Sequence, residues 1–308
     1  MSWFFLAIIG HLANGIAFII DKILLKSSFT RSATYAGLVG ILSAVVILAI
    51  PFVHFWPQNN MWFVAIISGV SFVFALWTFF AALSRSEASR IVPIVGSLIP
   101  ILTLIGAFTF LGERLSDRTF LGFFFLIVAT FLLSSSGAGK PTKEAVWLAI
   151  TSAFLFALSS VTAKSVYDTS GFFGGFVTTR IAAAATSFIL LTAIDRKAGD
   201  EVLQMMHPPK SKDKKTKEKS AGSKAAVLAL VGQTLGAVGF LFVQWATASG
   251  SASIVNAMQA VQYALLVVVG IIFAKRAPHL LDEKLTTHTL IIKGSALALT
   301  AIGMYLIV

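Results

Sequence analysis

In a chain of 308 residues, 57% hydrophobic and 12% charged with a mean hydropathy of +0.87, apolar side chains outnumber what one interior can hold. A soluble domain carries about 25% charged residues, so lipid must be the solvent for most of these side chains. The net charge of +11 is concentrated in residues 195–224 rather than along a helix face, which points to a membrane-topology signal and not to a nucleic-acid partner; with no cysteine, disulfides and thiolate chemistry are excluded.

A membrane crossing takes about 20 predominantly apolar residues at about 1.5 Å rise each, and ten segments satisfy this. The fold class expected is therefore an all-α integral membrane protein of ten transmembrane helices. The first, 3–25, has no basic stretch before it and no small-residue cleavage site after it, so it reads as a retained helix. Asn14 sits near its midpoint with His11 one turn earlier, and an amide at that depth offers both donors and an acceptor to a polar solute. Asp21-Lys22 closes the segment. The second and third segments are 33–55 and 61–83, the latter carrying Ser71, Trp77 and Thr78. Trp77 is a candidate for an aromatic wall. The fourth, 91–111, holds Pro93 and Pro100, which free backbone groups and can bend it, and the fifth is 119–135.

The sixth segment, 145–165, ends in Ala163-Lys164. In the seventh, 172–194, Arg180 falls about halfway along, among threonines and alanines. A charge there costs about 2.5–3.5 kcal/mol on insertion scales and must face protein or a water-filled cavity. A guanidinium can grip a planar oxyanion through two parallel hydrogen bonds; the bland alternative is a tether to helix carbonyls. Residues 195–224, with His207-Pro208-Pro209 and a lysine-rich tract, are expected to form a basic mobile linker. The eighth segment, 225–247, brings Gln233 and Gln244, the latter beside Trp245, and glycines 232, 236 and 239 that permit close helix approach. In the ninth, 252–274, Asn256, Gln259 and Tyr263 fall on one helical face. Lipid would leave those groups unpartnered, so the face should look inward, onto a cavity or a packing seam. The tenth is 287–308.

Residues 1–137 and 138–308 share landmarks in the same order. Lys22 and Lys164 close the first helices; Ala88-Ser89-Arg90-Ile91-Val92 and Ala252-Ser253-Ile254-Val255 open the fourth; Gly112-Glu113-Arg114-Leu115-Ser116 and Asp282-Glu283-Lys284-Leu285-Thr286 precede the last. Five crossings per half is an odd number, so the halves would insert with opposite orientation as two inverted five-helix repeats.

On these residues the chain resembles the EamA-type family of the drug/metabolite transporter superfamily. Lys22, Lys164, Arg180, Pro100 and Gly112-Glu113 match its pattern, whereas Leu38, Tyr263 and Asp282 depart from it. The resemblance implies a ten-helix bundle, a central cavity, alternating access and a gating or binding role for the two lysines. The function expected is secondary active transport of a small polar metabolite, an amino acid or related compound. A multidrug or lipophilic-cation exporter is the rival, and it would call for a mid-membrane carboxylate that the sequence lacks. A membrane-embedded enzyme would need a converging nucleophile and base, and the histidines are scattered. No phosphate-binding Gly-x-x-x-x-Gly-Lys-Ser/Thr loop is present, and no cofactor or metal is implied. The partners expected are the solute and membrane lipid, with monomer and homodimer both open. The basic loops place both termini outside the cytoplasm, the resemblance places both inside, and a prokaryotic inner membrane is the default location.

Overall fold

Inside a bilayer the backbone has no water to bond, so spanning segments close their hydrogen bonds internally as helices. The computed structural model describes residues 2–24, 31–86, 88–134, 141–206, 217–274 and 287–308, and no strand occurs among them. The elements are α1 (Trp3–Leu24), α2 (Ser32–Leu42) continued as a 3-10 helix (Ser43–Phe52), α3 (Met61–Leu83), α4 (Ala88–Gly106) closing in a π-turn (Ala107–Leu111), and α5 (Asp117–Ser134). They continue with α6 (Lys143–Ile189) closing in a π-turn (Leu190–Ile194), α7 (Arg196–Met206), α8 (Lys217–Ser249), α9 (Ala252–Ala257), α10 (Gln259–Ala274) and α11 (Thr287–Ile307).

Seven described stretches are long and apolar enough to cross a membrane, where ten segments are expected from the sequence. One of the seven, Lys143–Ile194, is 52 residues long, more than twice what a crossing takes. Its helix contains a corner at Gly171, whose φ of 69° and ψ of 171° lie in a region open essentially to glycine alone. Ser68 on α3 bonds Ser159, twelve residues before the corner, and the backbone of Gly69 abuts Ala182 and Ala183, eleven and twelve after it. The two arms of α6 therefore lie side by side, and the connection expected between the sixth and seventh segments shrinks to a single residue.

Three further expectations change. The second segment is not one α-helix: it tightens to 3-10 geometry after Leu42 and contains Pro51, which has no N–H to give the preceding turn. The ninth is interrupted at Met258. Residues 195–224 are not linker throughout, because Arg196–Met206 is the amphipathic helix α7. Its Ala198 and Val202 pack on Ala33 and Leu191, Asp195 caps it through the Ala198 N–H at 3.2 Å, and α2 holds it through Thr34 Oγ1 to Glu201 Oε2 at 2.5 Å and Arg31 to Asp195 at 3.1 Å.

Large apolar side chains cover the outside, with Phe110, Leu48 and Trp147 at 83%, 76% and 69% exposure; this is a lipid-facing surface. Inside, close approach depends on small residues. A Cβ on Gly10 would lie 2.8 Å from Val243 Cγ2, and one on Gly239 would lie 2.4 Å from Asn14 Oδ1, so α1 and α8 run nearly backbone to backbone. The α3–α6 seam is tied by Ser68 and Ser159, each hydroxyl donating to the other's carbonyl at 2.9 Å, and by Ser152 Oγ to Ala75 O at 2.9 Å. Elsewhere α4 packs on α9, α5 on α11, and α2 on α6, with Gly40 and Gly37 seated against Ser187 and Leu191 of its second arm.

Candidate functional site

The corner at Gly171 swings the second arm of α6 back so that Arg180 enters the junction of α3, α6 and α8. Arg180 is 2% exposed. Its guanidinium carbon sits 4.2 Å from the Phe72 ring centroid of α3 and 5.1 Å from that of Phe240 on α8. Neither Nε nor Nη1 has a hydrogen-bond partner. A guanidinium grips a carboxylate along its side through Nε and a terminal nitrogen, or along its end through both terminal nitrogens; each edge here contains an unpartnered nitrogen. The two rings lie against the cation, and Nε and Nη1 are themselves buried.

Beside it, Tyr167 donates its hydroxyl to Gln244 Oε1 at 3.0 Å, which leaves the Gln244 amide hydrogens as donors. Gly175 gives the Tyr167 ring its place, since a Cβ there would fall 2.4 Å from the ring. An aromatic ladder leads away from the cation: Phe240 to Phe176 at 6.3 Å, Phe176 to Phe172 at 5.2 Å, and Phe172 stacked on Trp245 at 5.2 Å and 8°. These spacings are those of favourable offset and tilted ring pairs.

A second polar centre lies on the same face of α6, since Ser160 and Tyr167 are seven residues apart, about 10 Å along the axis. Asn256 Nδ2 donates to Ser160 Oγ and to Thr103 Oγ1 of α4, both at 3.0 Å. His11 Nε2 donates to Val255 O at 2.9 Å. That carbonyl would accept the Gln259 N–H in an uninterrupted helix; the break at Met258 releases it, and the α1 histidine takes it up.

The remaining expected residues scatter. Asn14 lies on the α1–α8 seam against Gly239. Trp77 packs on apolar clusters shared with α2 and α7, among Ala36, Val73, Ala183 and Leu191. Gln259 is partly buried just after the helix break. Tyr263 reaches α4, where a Gly96 Cβ would stand 3.0 Å from its hydroxyl, and packs beside Leu133 and Ala296. Asn256 and Tyr263, seven residues apart, thus both meet α4, at Thr103 and Gly96, which are likewise seven residues apart. Pro93 and Pro100 are both buried within α4, which stays helical through them. Lys164 Nζ bonds Asp168 at 2.8 Å and Ala248 O, near the end of α8, at 3.0 Å. The side chain of Lys22 lies outside the described residues.

The partners of Arg180 were not singled out from sequence. Phe72 and Phe240 look there like any lipid-facing phenylalanine; the one signal is that a mid-helix arginine with no acid at comparable depth needs ring faces or a ligand. Glu113 is the other unforeseen tie: its carboxylate accepts from the hydroxyls of Ser251 and Ser253 at the start of α9. The described cavity, an open groove lined by Ile41, Ala44, Ala184, Ala185, Phe188 and Ile189, has no polar side chain and belongs to the lipid-facing surface. Among the described residues, no cluster of three or more His, Asp or Glu could hold a metal.

Residues 1–135 match the model of the EamA-like transporter family, the family that Lys22, Pro100 and Gly112-Glu113 suggest. No curated protein matches the sequence. A solved structure described as "Crystal structure of protein" has a similar fold, with a TM-score of 0.67 at 16% identity over 99% of this chain and 95% of that one; at that identity the likeness concerns the fold alone. With this family match and its long apolar helices, the chain is a multi-pass membrane protein.

Proposed function

With its first 135 residues matching the EamA-like transporter family, we propose that the protein is a secondary transporter of the drug/metabolite superfamily. It moves a small polar metabolite bearing a carboxylate, an amino acid or related compound, by alternating access. The observation that carries this reading is the buried guanidinium of Arg180, its Nε and Nη1 unpartnered, at the meeting point of α3, α6 and α8. A guanidinium at that depth is costly unless it is used, and an oxyanion is what its geometry accepts. A lipophilic cation would meet a like charge there, which argues against the exporter alternative.

The pairing of helices supports a ten-crossing architecture of two inverted repeats. Carrying Lys22 onto Lys164 shifts α1 onto the first arm of α6 by 142 residues. The same shift carries Gly10 and Ala17 onto Ser152 and Ser159. Their partners on α8, Val243 and Gly236, then correspond to Ala75 and Ser68 on α3, both by a shift of 168 residues. One constant offset per helix reproduces both contacts, as a two-fold exchange of halves requires. Meanwhile α4 with α9, α5 with α11 and α2 with the second arm of α6 are pairs that such an exchange maps onto themselves. A prokaryotic inner membrane is the location that goes with this reading.

The test is uptake of a panel of labelled carboxylates into proteoliposomes holding the purified chain. Saturable uptake that Arg180→Leu abolishes at normal expression is the expected result. Undiminished uptake by that variant, or none of any carboxylate by the parent, would sink the proposal.

A further inference from the structure

Around Arg180 the described residues supply one cation, several rings, an amide and a phenol, and no acid. Each described ion pair lies elsewhere: Arg31 with Asp195, Arg85 with Glu144, Lys164 with Asp168. Asp168, next in sequence to Tyr167, is already held by Lys164 at 2.8 Å with its own side chain 47% exposed. A zwitterion would therefore bring its carboxylate to a partner and its ammonium to none, and a buried charge without a counter-charge is strongly disfavoured. Ring faces could in principle receive an ammonium. The two rings against the guanidinium, Phe72 and Phe240, are already covered by it, and a second cation beside it would be repelled.

We propose that the solute held at Arg180 is an organic anion with a flat apolar body and no ammonium group, an aryl-substituted or similarly planar monocarboxylate. This rests on the transport reading of the same site, keeps its carboxylate and replaces the amino acid by a solute without an ammonium group. The carboxylate accepts in the plane of the guanidinium from an edge that carries one of the two buried, unpartnered nitrogens. The Gln244 amide, fixed through its oxygen by the Tyr167 hydroxyl, presents its N–H groups as further donors. The apolar body packs against Phe176, a ring that the guanidinium does not cover, next in the aromatic ladder at 6.3 Å from Phe240.

The test separates binding from transport. The purified full chain in detergent is equilibrated with labelled phenylacetate, and L-phenylalanine and phenethylamine, which carry a similar ring with different charge, are used as competitors. Phenylacetate is expected to bind saturably, L-phenylalanine to compete at least tenfold more weakly, and phenethylamine not to compete. Arg180→Met is expected to weaken phenylacetate at least tenfold. Equal or better competition by L-phenylalanine, no saturable phenylacetate binding, or undiminished binding by a folded Arg180→Met chain overturns the proposal. Should that variant not fold, the ranking of the three ligands on the parent chain decides alone. Uptake into proteoliposomes is scored separately. Binding of phenylacetate without uptake of any carboxylate would remove the transport reading and leave the anion site standing; uptake of L-phenylalanine with no phenylacetate binding would do the reverse.

Discussion

The guanidinium carbon of Arg180 lies 4.2 Å from the centroid of the Phe72 ring across the α3–α6 interface, with residues 1–135 supplying the ring and the second half of the chain the charge. Such a contact is worth about 0.5–2 kcal/mol, more when desolvated. Phe72→Leu keeps an apolar side chain and removes the ring face. It is expected to lower the thermal unfolding midpoint in detergent and to reduce carboxylate uptake several-fold, while Phe72→Tyr retains both. A Phe72→Leu chain with parental midpoint and uptake would show that the contact contributes nothing.

Glu113 joins the turn between α4 and α5 to the start of α9 through two serine hydroxyls. Hydrogen bonds to a charged group contribute about 1.5–3 kcal/mol each, so Glu113→Ala is expected to destabilise the chain clearly more than Glu113→Gln, which keeps an acceptor. Because all three residues form one unit, the combined Ser251→Ala, Ser253→Ala and Glu113→Ala chain should lose much less than the separate losses added together. Strict additivity, measured by urea or thermal unfolding, would count against the clamp.

At the interruption between α9 and α10, His11 satisfies the Val255 carbonyl that the break exposes. His11→Leu leaves that acceptor buried and unpaired, at a cost of about 1–3 kcal/mol; His11→Gln, which can still donate, should recover a large part. The comparison is read in unfolding midpoints, and equal loss in both variants would mean that shape rather than the hydrogen bond matters.

Glycines separate into required and replaceable ones. Gly171→Ala places a side chain at φ 69°, ψ 171°, a strain of about 1–3 kcal/mol, although nothing crowds the site within 4 Å. Gly236→Ala would meet only Ala17 Cβ at 3.5 Å, an ordinary contact, and its midpoint should stay within a degree or two of the parent's.

Much of the helical layout was legible in the sequence because unbroken apolar runs leave no alternative inside lipid: α1 and α3 begin and end within a residue of where hydropathy puts them. The position of Arg180 was legible for the same reason, since one charge stands out among alanines. Its surroundings were not, because hydropathy cannot tell a phenylalanine that faces lipid from one that faces a cation. The continuity of the ninth segment misled for a different reason. An apolar run reads as an uninterrupted spiral, and no proline or glycine announces the break at Met258. In α7 the charges Arg196, Lys197, Asp200 and Glu201 conceal the Ala198–Val202 spacing, so docking through two small apolar residues reads as linker.

The corner at Gly171 leaves that edge of the molecule with no slack. An epitope or protease site spliced between Ser170 and Phe172 could be displayed only by unravelling helix on both sides. A reporter scan for sidedness should therefore fail there while succeeding at wider connections. An antibody raised against that edge would have to recognise a blunt ridge, built from the Phe55 carbonyl seated on Gly174 and the Phe52–Phe173 ring pair, in place of a flexible loop.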